Sequence, residues 1–364
     1  MGKRLVGLSL LLLSCLMTMA GKPAKISLPL FMAWDGEGSF KAMKNDSAVE
    51  AYLLRLKRSH IDGLFMEGKP QFIRRIAPIA KRVDIQLHVW KPTMIMPDSV
   101  FMHQHADWYS VNRNGVSCVT KAPYAGYYRI FCPREKKVIK YLTKTYLEYA
   151  KIDGVAGVHF DYIRYCDIYL PKTLQPKYHL DQTYEMPDYD FCYCHRCREA
   201  FRKKNRIDPI TMSDPASSKD WAEFRLQAIV DLANSISGKV KKKTGKMVTA
   251  AVFPTPEMAK RMVRQDWGRF KIDAACPMIY NNFYDEGIDW IGKCVKESLA
   301  TMAVRKDLHA GVYMGALPDP KSLQEGIESA MDNGANGVVF FTAGNLTDDQ
   351  LKVVEAMYRK YAGN

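Results

Sequence analysis

After its first twenty residues, the sequence lacks any hydrophobic run close to the roughly 18 residues that a membrane-spanning helix requires. It also lacks the HExxH, P-loop, Gly-x-Ser-x-Gly and EF-hand patterns. Metalloprotease, nucleotide-dependent and serine-esterase activities therefore have none of their usual sequence support. There is no internal repeat or low-complexity tract, and 47% hydrophobic with 25% charged residues is an ordinary globular composition. Disordered, collagen-like and coiled-coil chains are thereby excluded.

Positive charge dominates the composition. Lysine and arginine number 53 against 39 acidic residues, which gives the 364-residue chain a net charge of +14. An excess of this size attracts nucleic acid, anionic membranes or acidic polysaccharides. The chain starts with Lys3 and Arg4, then a short apolar run, then the small-residue pattern Thr18-Met19-Ala20. This is the pattern of a secretory signal, so we expect residues 1–20 to be a signal peptide and nucleic acid not to be the partner.

The remaining residues, 21–364, are expected to form a single domain that is exported to the periplasm or the medium. A second interpretation of the first residues stays open. The run Leu12-Leu13-Ser14-Cys15 has the form of a bacterial lipobox. Under that interpretation Cys15 carries a lipid anchor and the protein is an outer-membrane lipoprotein.

Short apolar runs alternate with amphipathic stretches along the chain. The runs predict eight strands: Ile26–Trp34, Ile61–Glu67, Asp84–Trp90, Val155–Asp161, Met247–Phe253, Ala274–Tyr280, His309–Met314 and Gly337–Thr342. The amphipathic stretches predict eight helices: Ser47–Arg58, Pro70–Arg82, Glu135–Lys151, Trp221–Lys243, Glu257–Phe270, Ile288–Ala303, Lys321–Asn333 and Thr347–Tyr361. Eight β/α units are the number that closes a (β/α)8 TIM barrel. An open doubly wound sheet is the alternative, but the turn after the first strand lacks the GxGxxG spacing of dinucleotide-binding folds.

Two connections are unusually long, residues 91–134 after the third strand and 165–220 after the fourth. Both leave the carboxyl ends of strands, where TIM barrels build their active sites. Carboxyl and aromatic groups meeting there suit glycosidic-bond cleavage, in which one carboxyl protonates the leaving oxygen and a second attacks or activates water. The residues expected to bind substrate at this mouth are Trp34, Asp35, His88, Trp90, His159, Arg164, Tyr280, Asn281 and Tyr313.

Asp161 is the most specific catalytic candidate, and its expected role is that of nucleophile or general base. It directly follows a buried strand, and Arg164 three residues later is expected to lower its pKa. The run from Asp153 to Tyr165 resembles the fourth-strand signature of the family-10-like glycosyl hydrolases, Asp-Gly-(apolar)-His-(aromatic)-Asp-Tyr-(apolar)-Arg-Tyr-Pro. Two inserted residues and a cysteine in place of the final proline are the departures. The resemblance implies a glycoside-hydrolase-like barrel. The strand-end carboxyl and aromatic residues make a poly- or oligosaccharide the expected substrate.

The second carboxylate has several candidates. Glu67 at the end of the second strand and Glu257 after the fifth are equally placed as proton donor, followed by Asp35 and Glu37. Glu257 is also explained as an acidic residue in the first turn of a helix. Two function classes therefore stay open: a glycosidase, and a non-catalytic glycan-binding barrel of the cell surface.

Three closely spaced cysteines, Cys192, Cys194 and Cys197, can converge on one tetrahedral metal ion, preferably zinc. This run resembles the cysteine cluster of the family 42 β-galactosidases, which implies Cys132 as the fourth ligand. Such a site is structural, because four thiolates leave no open position for the water of a metal-dependent polysaccharide deacetylase. Disulfides are the alternative in an exported chain, and Cys166 is an alternative ligand. No organic cofactor is expected.

Three basic runs, Lys57–Arg58, Arg202–Lys204 and Lys239–Lys243, fall mostly on predicted helices outside the barrel. Their ordinary interpretation is a solvated face. The functional alternative is attraction of an anionic glycan through the long-range electric field.

Overall fold

The computed structural model describes residues 27–363. The predicted signal peptide and Cys15 lie outside the described residues. Eight parallel strands pair in chain order and close into a barrel, since the first strand also pairs with the eighth. The strands are β1 Phe31–Gly36, β2 Ile61–Glu67, β3 Gln86–Pro92, β4 Val155–Asp161, β5 Met247–Val252, β6 Ala274–Pro277, β7 Asp307–Tyr313 and β8 Gly337–Phe341. The predicted (β/α)8 fold is confirmed.

Helices surround the barrel. Within residues 27–363 they are α1 Asp46–Arg58, α2 Pro70–Arg82, α3 Ser99–Gln104, α4 Lys136–Ala150, α5 His195–Asn205, α6 Lys219–Thr244, α7 Pro256–Val263, α8 Asp289–Thr301, α9 Pro320–Met331 and α10 Asp348–Tyr361. Side-chain caps start several of them. Asn45 accepts a hydrogen bond from the backbone of Ala48 before α1, and Asp319 forms a capping box before α9. Gly245, with φ of 66°, ends α6 in the left-handed conformation that glycine adopts readily.

Strand residues alternate between two hydrophobic cores. Phe31, Ala33 and Met66 pack between the sheet and the helices. Trp34 and Phe65 belong to a smaller cluster inside the barrel. The alternation matters for function because only side chains facing the interior can reach the barrel mouth.

One predicted helix, Glu257–Phe270, is too long. In the structure α7 stops at Val263 because Arg264 is left-handed, with φ of 50°. The chain then turns inward, so that Trp267 is fully buried and its Nε1 donates to the carbonyl of Phe253 at 3.1 Å. Burial of Trp267 therefore takes precedence over helical continuity.

The two long loops meet each other at the barrel mouth. The backbone N–H of Tyr193, in the loop after β4, donates to the carbonyl of Val111, in the loop after β3, at 2.7 Å. Asn112 and Phe191 form an antiparallel bridge beside this bond. No helix among residues 27–363 combines the length and apolar character needed to span a membrane.

Candidate active site

A cavity of about 470 Å³ lies at the carboxyl ends of the strands. This volume is within the usual range for small-molecule sites. Aromatic rings form most of its wall: Trp34, Trp90, Tyr124, Tyr127, Tyr128, Tyr162, Tyr178, Phe253, Tyr280, Phe283, Tyr284 and Phe341. Its charged lining residues are Asp161, Arg164, Asp167 and Lys177. Flat apolar faces together with a few charged groups suit a ligand with both apolar and hydroxylated surfaces.

Asp161 ends β4 with its side chain facing the barrel interior, and only 7% of the residue is exposed. Trp90 Nε1 donates to its Oδ2 at 3.0 Å, and the backbone N–H of Tyr162 donates to Oδ1 at 2.6 Å. Both hydrogen bonds favour the charged carboxylate. Burial opposes them and prevails, so the pKa of Asp161 is raised above its ordinary value. A carboxyl group in this state can carry a proton at higher pH than an exposed aspartate can.

The sequence predicts that Arg164 lowers the pKa of Asp161, and this prediction is wrong. Arg164 does favour the charged form of Asp161, but burial outweighs it and the pKa is raised. The guanidinium forms its ion pair with Asp167 instead, Nη1 to Oδ2 at 2.9 Å, and both side chains are buried. Its cationic group also lies 4.7 Å from the ring centre of Tyr162. Arg164 is therefore in the cavity wall, as predicted, with a different partner.

Aromatic residues from distant strands meet opposite Asp161. Tyr280 stacks on Phe341, with ring centres 5.6 Å apart and planes at 24°. Trp90 meets Phe341 edge to face at 6.2 Å. Tyr313 packs against Tyr280 at 5.6 Å but does not line the cavity. Tyr313 thus supports the aromatic wall from behind.

Two predicted histidines lie in the barrel interior, below the cavity. His159 is fully buried, and its Nε2 accepts a hydrogen bond from Trp34 Nε1 at 3.1 Å. Its Nδ1 must therefore carry the proton, which it donates to Thr249 Oγ1 at 2.8 Å. His88 is also fully buried, and burial lowers its pKa to about 3. Neither histidine lines the cavity, so they hold the floor beneath Trp34.

Asp35 and Asn281 face away from the cavity. Asp35 follows the inward-facing Trp34 and therefore points outward, where it accepts hydrogen bonds from the Tyr52 hydroxyl at 2.5 Å and its neighbour's N–H. Asn281 donates to the carbonyl of Glu286 at 2.9 Å. These contacts do not support the predicted substrate-binding roles, because each side chain is already used within the protein.

The two candidate proton donors lie outside the cavity lining. Glu257 occupies the first turn of α7 and forms an ion pair with Lys260, with 63% of its side chain exposed. This is the helix-terminal role that the sequence left open. Glu67 ends β2, and its pKa is raised by partial burial, with Lys91 opposing the shift. Among the described residues, Asp161 and Asp167 are the carboxylates that line the cavity.

Four buried cysteines come together beside the mouth. The sulfur atoms of Cys132, Cys192, Cys194 and Cys197 all lie within 4.8 Å of one another. Cys132 Sγ is 3.6 Å from that of Cys194 and 3.5 Å from that of Cys197. Tetrahedral zinc with bonds of about 2.3 Å holds its sulfurs about 3.8 Å apart. The spacing thus fits a four-thiolate metal site and is far longer than a disulfide bond of about 2 Å.

The disulfide alternative has no support among the described residues. All eight cysteines from Cys118 to Cys294 are free thiols and all are buried. Cys166, the alternative ligand, does not belong to the group of four. The cluster joins the loop after β3, which carries Cys132, to the loop that carries Cys192 and its neighbours.

Several cavity residues were missed by the sequence analysis. Asp167, Tyr124 and Tyr128 come from the long loops, where no periodic pattern marks which side chains turn inward. Tyr124 donates its hydroxyl hydrogen to the carbonyl of Asp167 at 2.7 Å, which ties one loop to the other. Phe341 has a usable signal, because it is the last inward-facing residue of the predicted strand Gly337–Thr342. The strand-end criterion would have found it.

The sequence matches no protein-family model and no curated protein. Solved structures share its fold. The glycoside hydrolase domain of PgaB (BpsB) from Bordetella bronchiseptica superposes with a TM-score of 0.65 at 11% identity, covering 91% of this chain and 98% of that one. The catalytic domain of the β-amylase from Paenibacillus polymyxa gives 0.57 at 12% identity, covering 89% and 95%.

A third similar structure is a catalytic mutant of Gan42B, a GH42 β-galactosidase from G. stearothermophilus. The TM-score is 0.62 at 11% identity, and the match covers 92% of this chain but 57% of the galactosidase. The structural neighbours are thus glycoside hydrolases with a TIM-barrel fold. At such low identity the likeness establishes the barrel fold alone.

Proposed function

We propose that this protein is an exported glycoside hydrolase that cleaves a poly- or oligosaccharide at the mouth of its barrel. The observation that carries the proposal is Asp161, a buried carboxyl group with a raised pKa in a cavity walled by aromatic rings. Aromatic faces stack on the apolar faces of sugar rings, and a proton-carrying carboxyl is what glycosidic cleavage needs. The glycoside hydrolase neighbours support the same interpretation at the level of the fold.

Asp161 is assigned as the proton donor, in place of the nucleophile or base role expected from the sequence, because burial raises its pKa. In its protonated form it gives its proton to the glycosidic oxygen as the bond from that oxygen to the anomeric carbon breaks. Water supplies the hydroxyl group that the anomeric carbon gains. The proton that this water loses passes to a second carboxylate, and Asp161 regains a proton from solvent before the next cycle.

Asp167 is the preferred second carboxylate, with Glu67 as the alternative. Asp167 lines the same cavity, and Arg164 fixes its position through the 2.9 Å ion pair. Glu67 ends β2 in the inward-facing register but does not line the cavity, and partial burial raises its pKa. Glu257 is no longer a candidate, because it is paired with Lys260 on the surface of α7.

A glycan-binding barrel without catalysis is the second candidate function. The observation that favours it is the Arg164–Asp167 ion pair, because it already uses the carboxylate that would otherwise serve as the second catalytic group. The aromatic wall would bind sugar equally well in either case. The two functions differ only in whether the bound glycan is cleaved.

The cysteine cluster is proposed to hold structural zinc. Cys132, Cys192, Cys194 and Cys197 would be the ligands, and the ion would join the two long loops beside the cavity. Zinc held by four thiolates has no open position for water, so its contribution is to stabilise the loops. The residues at the mouth perform the chemistry.

Export rests on the signal pattern of residues 1–20, with residues 21–364 forming the single mature domain. Mass spectrometry of the protein recovered from cells is expected to find Gly21 as the first residue. An acylated Cys15 at the N-terminus would instead establish the lipoprotein. An unprocessed chain that starts at Met1 would contradict export.

The experiment that tests the function is hydrolysis of a broad oligosaccharide panel, including acidic ones, by the wild type and Asp161→Asn. The substitution keeps the shape of the side chain and removes its proton donor. We expect kcat to fall by about a thousandfold or more. General acid catalysis contributes a rate factor of about 10²–10⁴, and the variant has the same site geometry as the wild type. Glu257→Gln is the matched control and is expected to retain full activity.

Two results would overturn the proposed glycosidase function. The first is a wild type that cleaves nothing on the panel yet binds a glycan, which would favour the binding barrel. The second is an Asp161→Asn variant that remains folded and cleaves as fast as the wild type.

A further inference from the structure

A groove rich in lysine lies on the outer surface of the barrel, away from the mouth. It has a volume of about 730 Å³ and runs along α4, with α2 and α6 at its sides. Its six lysines, named here the lysine groove, are Lys136, Lys140, Lys144, Lys151, Lys239 and Lys243. None of them lines the mouth cavity. The groove is therefore a separate feature, and no step of the proposed reaction uses it.

The lysine groove carries uncompensated charge. All six lysines are exposed, and within the described residues none has a carboxylate within ion-pair distance. Neighbouring lysines differ in this respect, since Lys81 pairs with Asp153 and Lys241 pairs with Asp273. Glu148 is the one acidic residue of the groove, and its carboxylate is 3.9 Å from Arg74. The acid and the arginine offset each other, which leaves the six lysine charges.

The charges are arranged in rows. Lys136, Lys140 and Lys144 lie one helical turn apart on α4, about 6 Å along the axis at each step. Lys239 and Lys243 have the same spacing on α6. Like charges one turn apart on a helix repel each other and destabilise it. An anion bound along the groove would relieve this repulsion.

The shape of the surface selects the kind of anion. The lysines line a groove whose other residues include Ile139 and Leu147. A linear polymer can lie along such a groove and meet lysines of α4 and α6 at the same time. Charges repeated along a polymer match charges repeated along a helix, and each matched pair releases counterions.

We propose that the lysine groove binds a polyanionic polysaccharide, one with a carboxylate or sulfate group on its repeating units. The site is an anchoring site outside the mouth cavity. It would hold a long anionic chain against the protein at low or physiological salt, and weaken as salt rises because the contacts are electrostatic.

The test uses the mature protein and two probes, polygalacturonate for carboxylate and dextran sulfate for sulfate, with neutral dextran as the blank. Binding is measured by affinity electrophoresis or calorimetry over a range of salt. The groove variant replaces Lys140, Lys144, Lys239 and Lys243 by glutamine. The control variant replaces four exposed lysines outside the groove by glutamine, and so has the same net charge as the groove variant. These are Lys44, Lys203, Lys204 and Lys296. Circular dichroism and thermal unfolding check that both variants fold.

We expect the groove variant to bind at least one of the two anionic probes about tenfold more weakly or worse, with a smaller salt dependence. The control variant is expected to stay within about twofold of the wild type, since only net charge has changed. Weaker binding to one probe alone identifies which anionic group, carboxylate or sulfate, the groove binds. Asp161→Asn is expected to bind as the wild type does, so a failed glycosidase assay leaves this test intact.

Three results would overturn the proposal. An equal loss in both variants would mean that net charge alone attracts the probes. Undiminished binding by the groove variant would place the contact elsewhere. Binding to vesicles of phosphatidylglycerol or to single-stranded DNA that exceeds polysaccharide binding, and that the groove substitutions abolish, would assign the groove to a different partner.

Discussion

Asp161 is subject to opposing influences from its immediate neighbours. Burial favours the neutral acid, while Trp90, the backbone of Tyr162 and the charge of Arg164 favour the carboxylate. Burial prevails, and the pKa is raised. For a proton donor this balance is useful, because activity persists up to the pH at which the carboxyl group loses its proton.

Trp90→Phe isolates one of these influences. The substitution keeps an aromatic ring in the cavity and removes the Nε1–H that donates to Asp161 at 3.0 Å. That hydrogen bond favours the charged form, so its loss is expected to raise the pKa of Asp161 further. The alkaline limb of the kcat/KM profile should then move to higher pH.

The control for this prediction is Trp34→Phe. Trp34 also lines the cavity, but its Nε1 donates to His159 and not to Asp161. The alkaline limb of the kcat/KM profile of Trp34→Phe is expected to stay at the wild-type pH, even if the rate itself changes. An unmoved or lowered limb in Trp90→Phe would mean that Asp161 is not the titrating donor.

The sequence located some site residues by a simple rule and misplaced others. Trp90 and Asp161 end predicted strands and do line the cavity. Asp35 also sits near a strand end, but it follows the inward-facing Trp34 and so faces helix α1. The alternation of inward-facing and outward-facing residues along a strand can be read from the sequence, and it separates Trp90 and Asp161 from Asp35. The inward turn of Asp167 depends on loop contacts that no local pattern encodes.

At the scale of elements, the two long loops depend on each other. Cys132 on the first and the Cys192–Cys197 run on the second bring four thiols within 4.8 Å. Tyr124, Tyr128 and Asp167 lie on the same two loops and line the cavity. Loss of the proposed zinc should therefore loosen the cavity wall as well as the cluster.

Cys197→Ser tests the metal. The wild type is expected to hold one zinc per chain, measured by elemental mass spectrometry, and the variant to hold much less. Metal binding contributes folding free energy, so the variant should lose several kcal/mol of stability, on the order of 10 °C in Tm for a domain of this size. Thermal unfolding with and without a chelator measures the loss.

Cys294→Ala is the matched control, because it is a buried thiol on α8 outside the cluster. It is expected to keep its zinc and to lose about 1 kcal/mol, as an ordinary core substitution does. Wild-type protein purified without any metal, and equally stable with a chelator, would contradict the zinc site.

Element positions were well predicted where the hydrophobic period was strong. The bounds of β2, β4 and α2 agree with the sequence expectation to the residue. Helices α3 and α5 were not predicted, because they are short and lie within long loops whose packing decides their conformation. The early end of α7 has the same kind of cause, the burial of Trp267.

At the scale of the whole molecule, the barrel encloses three buried histidines. Burial lowers the pKa of His88 to about 3 and that of His309 to about 4, and it lowers the pKa of His159 strongly. All three are therefore neutral in the folded protein. The side chains around His88 are tightly packed, since a Cβ on Gly157 would lie 2.5 Å from His88 Nδ1.

These histidines predict acid sensitivity. The unfolded chain binds protons as the pH falls below about 6.5, while the folded chain does not until about pH 4 or lower. The stability that the neutral histidines contribute is thus complete above pH 6.5 and is lost as the pH falls towards 4. His309 alone should account for roughly 2–3 kcal/mol of that loss.

Urea unfolding at pH 7, 5.5 and 4 measures the effect. His309→Gln is expected to be less stable at pH 7 but to lose less stability on acidification than the wild type. His103→Gln, at an exposed position on α3, should leave the pH dependence unchanged. A wild-type protein equally stable at pH 7 and pH 4 would contradict the neutral buried state.

The fold as a whole was the most predictable feature. Eight alternating β/α units leave few ways to bury every apolar strand, and the closed barrel is the one found. The proposed second carboxylate, Asp167, was not among the sequence candidates, because its place in the cavity depends on which loop residues turn inward.

The proposed activity depends on Asp161, which would protonate a glycosidic oxygen in the mouth cavity. The most direct measurement is a crystal structure of Asp161→Asn with an intact oligosaccharide that the wild type cleaves. We expect sugar rings against Tyr280 and Trp90, with the scissile oxygen about 2.6–3.2 Å from the side chain of residue 161. A glycan bound with that oxygen beyond reach of residue 161, or bound only outside the cavity, would contradict it.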